Sequence, residues 1–93
     1  MPTYIMLNKL TPEGVKSLKN DPKRILEVNR ELEHFGVKIT HQWGTLGEYN
    51  FVTVVDAPDT ISLARMALEM GSRGTITSQT LIALSAEEII ENL

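Results

Sequence analysis

Along the chain, short runs of apolar and β-branched residues alternate with segments in which apolar residues recur at helical spacing. The short runs are typical of strands, because branched and aromatic side chains pack well on a pleated sheet. They are Thr3–Leu10, Val37–Trp43, Tyr49–Asp56 and Thr75–Leu84. Alternation in the second run predicts one shared strand face for Val37, Ile39, His41 and Trp43.

Two longer segments have the apolar spacing of helices. The first is predicted to begin at Asp21-Pro22, where a carboxylate precedes a proline at the first helical position, and to end at Gly36. The second is predicted to begin at Pro58-Asp59-Thr60 and to run to about Met70. It is apolar on nearly all sides, so we expect it to be covered on more than one of them.

The remaining segments complete a single domain over residues 1–93. A loop with one helical turn at 15–19 is predicted before the first helix. Ser85 and Glu88 have the spacing of a capping box, which predicts a short C-terminal helix over 85–93.

The predicted order β-α-β-β-α-β defines the fold class as α+β, with a ferredoxin-like plan. In this plan the sheet is antiparallel and four-stranded, the first and third strands are central, and the helices cover one face. Both central strands are apolar on both faces, as Ile5 and Leu7 beside Tyr4 and Met6 illustrate. We therefore expect the other face to be buried in a homodimer or higher homo-oligomer, or under the C-terminal helix.

The connection between the second and third strands leaves the strand register open. A loop over 44–48 places Trp43 opposite Tyr49, and it is favoured because two glycines then lie in the turn. A loop shorter by one residue places His41 opposite Asn50 instead. The difference matters because a shift of one residue exchanges the two faces of a strand.

Charge and composition exclude several classes of protein. The net charge of −3 and the scattered basic residues argue against nucleic-acid binding. The absence of cysteine excludes disulfides and thiolate metal sites, and neither histidine has a second ligand at metal spacing, so we expect no metal and no cofactor. No signal peptide or membrane span is recognisable, which predicts a cytoplasmic protein without membrane contact.

A few side chains could carry chemistry. His41 is the candidate catalytic base, since histidine exchanges protons near neutral pH. The more common alternative is a partly buried histidine that is hydrogen-bonded near the sheet edge. Trp43, Tyr49 and Asn50 are candidate ligand-binding residues of a pocket, although aromatic packing across two strands is the more common explanation of Trp43 and Tyr49. No serine elbow, phosphate loop or paired catalytic carboxylates accompany them.

Two further candidates lie elsewhere in the sequence. Arg24 could bind an anionic ligand near the start of a helix, or simply be a solvated charge. Thr77 belongs to a polar row on the fourth strand and could face the interior of a dimer, or merely reflect the polarity of an edge strand.

Six segments occur in an order and spacing typical of one family. They are Thr11–Lys16, Pro22–Arg24, Leu32–Gly36, Thr45–Asn50, Asp56–Asp59 and Thr77–Leu81. In these segments the chain resembles the GYD-domain family of small proteins with a ferredoxin-like, dimeric α+β barrel fold. The resemblance implies a dimer with a cleft between sheet and helices. Asn50 stands where the family has Asp, and an amide cannot ionise as a general base would.

Three functions are compatible with the sequence. The first is a dimer that binds a small, partly apolar molecule in the cleft between sheet and helices. The second is a cofactor-free monooxygenase or isomerase with His41 as base, as the resemblance to related barrels implies. The third is a protein-interaction module that uses the open sheet face. A pocket that contains His41, Tyr49 and Asn50 would favour the first two.

Overall fold

A computed structural model describes residues 1–93 without a gap. Its elements are β1 (Thr3–Leu10), α1 (Pro12–Asn20), α2 (Arg24–Glu33), β2 (Lys38–Gly44), β3 (Phe51–Asp56), α3 (Thr60–Ser72), β4 (Ile76–Ala83) and α4 (Ala86–Glu91). The predicted ferredoxin-like α+β fold is confirmed, with α2 and α3 as its two helices. None of the helices combines the length and hydrophobicity that crossing a bilayer would require.

The four strands form one antiparallel sheet in the order β2-β3-β1-β4. The central positions of β1 and β3 agree with the prediction. In the middle of the sheet Ile5 of β1 lies between Val54 of β3 and Leu81 of β4. β2 and β4 are the two edge strands.

The hydrophobic core lies between the sheet and the helix layer. Successive side chains of a strand point to opposite faces, and in β1 the buried residues are Tyr4, Met6 and Asn8. Across this face α3 contributes Met66, and α2 contributes Leu32. The helices therefore cover only one of the two faces of the sheet.

The start of the helix layer differs from the prediction. α1 is a complete helix rather than a single turn: Thr11 Oγ1 accepts a hydrogen bond from Gly14 N at 3.1 Å, and Pro12 occupies the first helical position. Asp21 is the C-terminal cap of α1, whereas α2 begins after Lys23 without a side-chain cap. The predicted helix start at Asp21-Pro22 was too early, because Asp21 ends α1 and the second helix begins only at Arg24.

Gly14 is fixed by a close approach of two backbones. A Cβ atom added there would lie 2.0 Å from the carbonyl oxygen of Thr75, so only glycine lets α1 pack against the start of β4. The neighbouring Thr11 amide donates to the same oxygen at 3.0 Å.

A β-bulge corrects the predicted face of β2. Ile39 pairs with Val55, whereas His41 pairs with Val54, so Thr40 is an extra residue in this strand. Ile39 consequently packs on the core, while His41 lies on the opposite face. The prediction of one shared face was wrong because alternation along a sequence does not reveal an inserted residue.

The hairpin register also differs from both predicted alternatives. Trp43 pairs with Val52, and residues 45–50 form the connection. Thr45 N donates to the Asn50 carbonyl oxygen at 2.8 Å and so joins the two ends of the loop. The loop is therefore longer than the turn over 44–48 that the two glycines favoured. Gly47 retains a positive φ of 125° within it.

The face away from the helices is uncovered and largely apolar. We call it the open face; its apolar middle consists of Ile5, Leu7, His41, Trp43, Val52, Val54, Gln79 and Leu81, between polar ends that hold Thr3, Lys38 and Asp56 on one side and Lys9 and Thr77 on the other. α4 does not lie on it, since every residue from 84 to 93 is exposed. The alternative that the C-terminal helix covers this face was therefore wrong.

Candidate functional site

The most prominent feature of the open face is an aromatic pair at its β2 edge. The rings of His41 and Trp43 stack, with centroids 5.4 Å apart and planes inclined by 13°. His41 Nδ1 lies 3.2 Å from Thr40 Oγ1, and both ring residues are exposed, Trp43 to 52%. An exposed, laterally supported indole is the kind of side chain that is enriched at protein interfaces.

Tyr49 reaches the same face from the loop. Its hydroxyl donates a hydrogen bond to Gln79 Oε1 at 2.9 Å, which connects the hairpin loop to β4. The loop is held in turn by Thr45, whose hydroxyl donates to the Tyr49 carbonyl oxygen at 2.7 Å. Tyr49 therefore borders the open face at the end of the sheet that is farther from Thr3. It does not pair with Trp43, whose partner is Val52.

Asn50 lies one residue before β3 begins and extends the pairing of β3 with β1. Its amide N donates to the Asn8 carbonyl oxygen at 2.8 Å. Its side-chain Oδ1 accepts from Leu10 N, also at 2.8 Å. The side chain thus replaces a backbone acceptor, a role that an aspartate carboxylate in the same place would also serve.

We expect Asn50→Ala to lower the free energy of unfolding by about 1–3 kcal/mol, because Leu10 N loses its acceptor in a part-buried position. Asn50→Asp is the matched control and should remain within about 0.5 kcal/mol of the wild type, since the acceptor is kept. Urea unfolding and amide hydrogen exchange at Leu10 measure both effects. Equal losses in the two variants would contradict this role.

Arg24 lies in the helix layer, away from the open face. Its guanidinium contacts Glu27 at 3.1 Å and Glu31 at 3.0 Å. Glu31 also binds Arg73 at 2.6 Å, and Arg73 binds Glu69 at 3.1 Å. These ion pairs join α2 to the end of α3, and the charge of Arg24 that could attract an anion is already shared with carboxylates.

The two arginines lower the pKa of Glu31, chiefly through the hydrogen bond from Arg73 and then that from Arg24. Because the folded-state pKa lies below the unfolded one, the stabilisation is present above the ordinary glutamate pKa of about 4.3 and is lost as pH falls through the lowered value. We therefore expect Glu31→Gln to destabilise the protein at pH 7 and to match the wild type in strong acid. Urea unfolding across this pH range measures the difference, and a gap independent of pH would refute it.

Thr77 lies at the margin of the sheet on the edge strand β4. Its hydroxyl is 3.4 Å from the carbonyl oxygen of Lys9, and the residue is exposed. Lys9 itself is 3.8 Å from Glu48 of the hairpin loop. This end of the open face is thus polar and charged, in contrast to its apolar middle.

A row of polar side chains on the covered face was not singled out in the sequence. Asn8 Nδ2 and Gln42 Nε2 both donate to Thr53 Oγ1 at 3.2 Å, and Asn29 Nδ2 donates to Gln42 Oε1 at 2.7 Å. Ser78 adds a bond to Asn8. The row crosses all four strands and ties β2 to α2. Two polar residues in mostly apolar strand runs, Asn8 in β1 and Thr53 in β3, were the signals for it.

This row borders a small cavity between sheet and helices. Its volume is about 80 Å³, which is small for a ligand pocket. A second cavity of about 100 Å³, lined in part by Arg24 and Arg73, lies between the helices and the start of β4, and an open groove of about 520 Å³ lies beside residues 1–3. None of the three is lined by His41, Trp43, Tyr49 or Asn50. The structure therefore brings Trp43 and His41 together, and places Tyr49 on the same face, but forms no pocket around them.

These features define a small ferredoxin-like protein whose distinctive surface is an uncovered sheet face. The chain belongs to the GYD domain family, whose sequence profile matches residues 4–93, as the resemblance predicted. A relative from the bacterium Thermus thermophilus, named glutamine synthetase and cystathionine beta-lyase binding protein, is 45% identical over 100% of this chain and 99% of its own length. No solved structure matches the chain.

Proposed function

We propose that this protein is a protein-interaction module that works as a homodimer formed through the open face. The observation that carries the proposal is that apolar face, which no element of the chain covers. Ile5, Val54 and Leu81 form a continuous apolar row across three strands. Uncovered patches of this kind mark interaction sites in soluble proteins, and a domain this small gains stability from a second subunit.

The partners of the dimer are, in this proposal, metabolic enzymes of the kind named for its relative. The relative's name describes a protein that binds glutamine synthetase and cystathionine beta-lyase. Identity of 45% over nearly the whole of both chains supports a shared class of partner. A non-catalytic role agrees with the position of His41, which stacks on Trp43 in the open rather than lining a cavity.

Binding of a small molecule between sheet and helices is the weaker candidate. The cavity in that place has about 80 Å³, whereas ligand pockets usually have roughly 300–1,000 Å³. Its polar side chains already bond to one another, and no buried side-chain nitrogen or oxygen lacks a partner. The polar groups around the cavity thus satisfy one another rather than being presented to a ligand.

Biolayer interferometry with glutamine synthetase and cystathionine beta-lyase from the same organism tests the proposal. We expect at least one enzyme to bind with a dissociation constant of about 10 µM or tighter, which corresponds to roughly 7 kcal/mol. An unrelated enzyme of similar size and net charge is the control. Absence of binding to both enzymes at a concentration on the order of 100 µM, where such an affinity would give nearly full occupancy, would refute the enzyme partners. The number of subunits, measured separately by sedimentation, tests the homodimer: a monomer would refute it.

A further inference from the structure

The end of the chain forms an arm that no other part of the chain covers. We call residues 84–93 the C-terminal arm; it leaves the sheet after Ala83, the last residue of β4. Every one of its residues is exposed, including the large apolar side chains of Leu84, Ile89, Ile90 and Leu93. Apolar side chains in such number on so short a segment need a surface to pack against.

The arm is nevertheless specified as a helix. Ser85 Oγ accepts from Glu88 N at 3.0 Å, and Asn92 Nδ2 donates to the Glu88 carbonyl oxygen at 2.8 Å, so both ends of α4 carry local bonds. A helix of 6 residues is far below the roughly 12–15 residues at which isolated helices become marginally stable. Ser85 and Glu88 line an open groove with residues 1–3, but every residue of α4 stays exposed. Its own chain thus leaves the apolar side chains of α4 without a surface, and a second molecule can supply one.

Charge indicates where that support lies. After Arg73 the chain has no lysine or arginine, while the arm contains Glu87, Glu88 and Glu91. Across the sheet, β2 begins with Lys38, which is exposed and forms no ion pair. The acidic arm and this lysine are complementary, but they belong to opposite edges of the same sheet.

Register places the two at the same end of the sheet. Ala83 pairs with Thr3, Thr3 pairs with Asp56, and Asp56 pairs with Lys38. In the arrangement considered for the homodimer, two sheets meet through their open faces about a two-fold axis that runs parallel to the strands. The β4 edge of one copy then lies over the β2 edge of the other, with these ends together.

We propose that in the homodimer each C-terminal arm crosses to the β2 edge of the partner copy. There Glu88 and Glu91 approach Lys38 of the partner subunit, and the isoleucines of the arm cover the side where His41 and Trp43 of the partner subunit stack. The exchange covers an edge strand that would otherwise present unpaired backbone groups to further chains. This inference rests on the homodimer proposed above.

The test compares dimer dissociation constants, by sedimentation velocity at low salt, for matched variants of the full chain. Lys38→Glu and the pair Glu88→Lys with Glu91→Lys should each weaken the dimer about 3- to 10-fold, and combining them should restore most of the affinity. Lys16→Glu, an exposed change on α1, is the control and should have no effect. Deletion of residues 85–93 should weaken the dimer at least about 10-fold and shift the emission of Trp43, the only tryptophan, to longer wavelength.

The outcomes separate the two proposals. A dimer whose affinity and Trp43 emission are unchanged by the deletion overturns the arm exchange and leaves the open-face homodimer intact. Weakening by the deletion together with silent charge variants, or charge effects that add instead of compensating, overturns the placement at the β2 edge. A wild-type chain that stays monomeric overturns the homodimer itself, and the arm exchange with it.

Discussion

Replacing Ile5 by aspartate is expected to abolish the proposed homodimer and to leave a folded monomer. Ile5 lies in the middle of the open face, between Val54 and Leu81, so in the proposed dimer a carboxylate there is buried twice about the two-fold axis. A buried, unpaired carboxylate costs several kcal/mol, and each 1.4 kcal/mol is a factor of ten in affinity. We therefore expect the dimer to weaken at least about 100-fold.

Sedimentation equilibrium at about 50 µM measures this effect, a concentration far above the dissociation constants typical of large apolar interfaces. Leu68→Asp is the matched control: it exchanges an apolar for an acidic side chain at a position that is 74% exposed on the outer side of α3. The control should remain dimeric, and circular dichroism should show both variants folded. A dimer that survives Ile5→Asp but not Leu68→Asp would place the interface on the helix layer instead.

Truncation of Met66 to alanine is expected to cause the largest loss of stability. Met66 is only 1% exposed and fills the space between α3 and the sheet, where it belongs to the same cluster as Met6 and Val55. Removing a buried methionine side chain costs about 2–5 kcal/mol, because transfer energy and cavity formation add. A small domain has only about 5–15 kcal/mol in total, so Tm should fall by roughly 10–30 °C.

Calorimetry at one fixed protein concentration measures this change, since dimer dissociation would otherwise move the apparent Tm. Leu68→Ala on the same helix is the control and should change the free energy of unfolding by less than about 0.5 kcal/mol, because Leu68 is exposed. Similar losses in both variants would mean that the outer side of α3 is itself buried in solution.

The order of the strands was predictable because it follows from the order of the elements along the chain. The element order β-α-β-β-α-β implied that β1 and β3 are the central strands, and their apolar residues on both faces agree with that position. Thr11 and Pro12 are a local signal for the start of α1. The helix has few apolar residues, however, so its hydrophobic periodicity was too weak to predict a complete helix. The start of α2 was misplaced because Asp21 was taken as its N-cap, whereas Asp21 is the C-terminal cap of α1.

The register and the position of the site were not predictable, because they depend on contacts between distant segments. The bond from Leu10 N to Asn50 Oδ1 joins residues 40 positions apart and helps to set where β3 starts. The inserted Thr40 leaves no trace in the pattern of alternation, yet it decides that His41 and Ile39 lie on different faces. Residue chemistry selected His41 and Trp43, while only the fold could place them on a surface without a pocket.

The bulge at Thr40 also divides β2 into two parts in which substitutions have different consequences. Ile39 is tied to Val55 and the core, so its substitution would be felt throughout the domain. His41 and Trp43 contact each other and the solvent, and they could be exchanged without disturbing that core. One inserted residue thus separates the part of β2 that packs on the core from the part that shapes the open face.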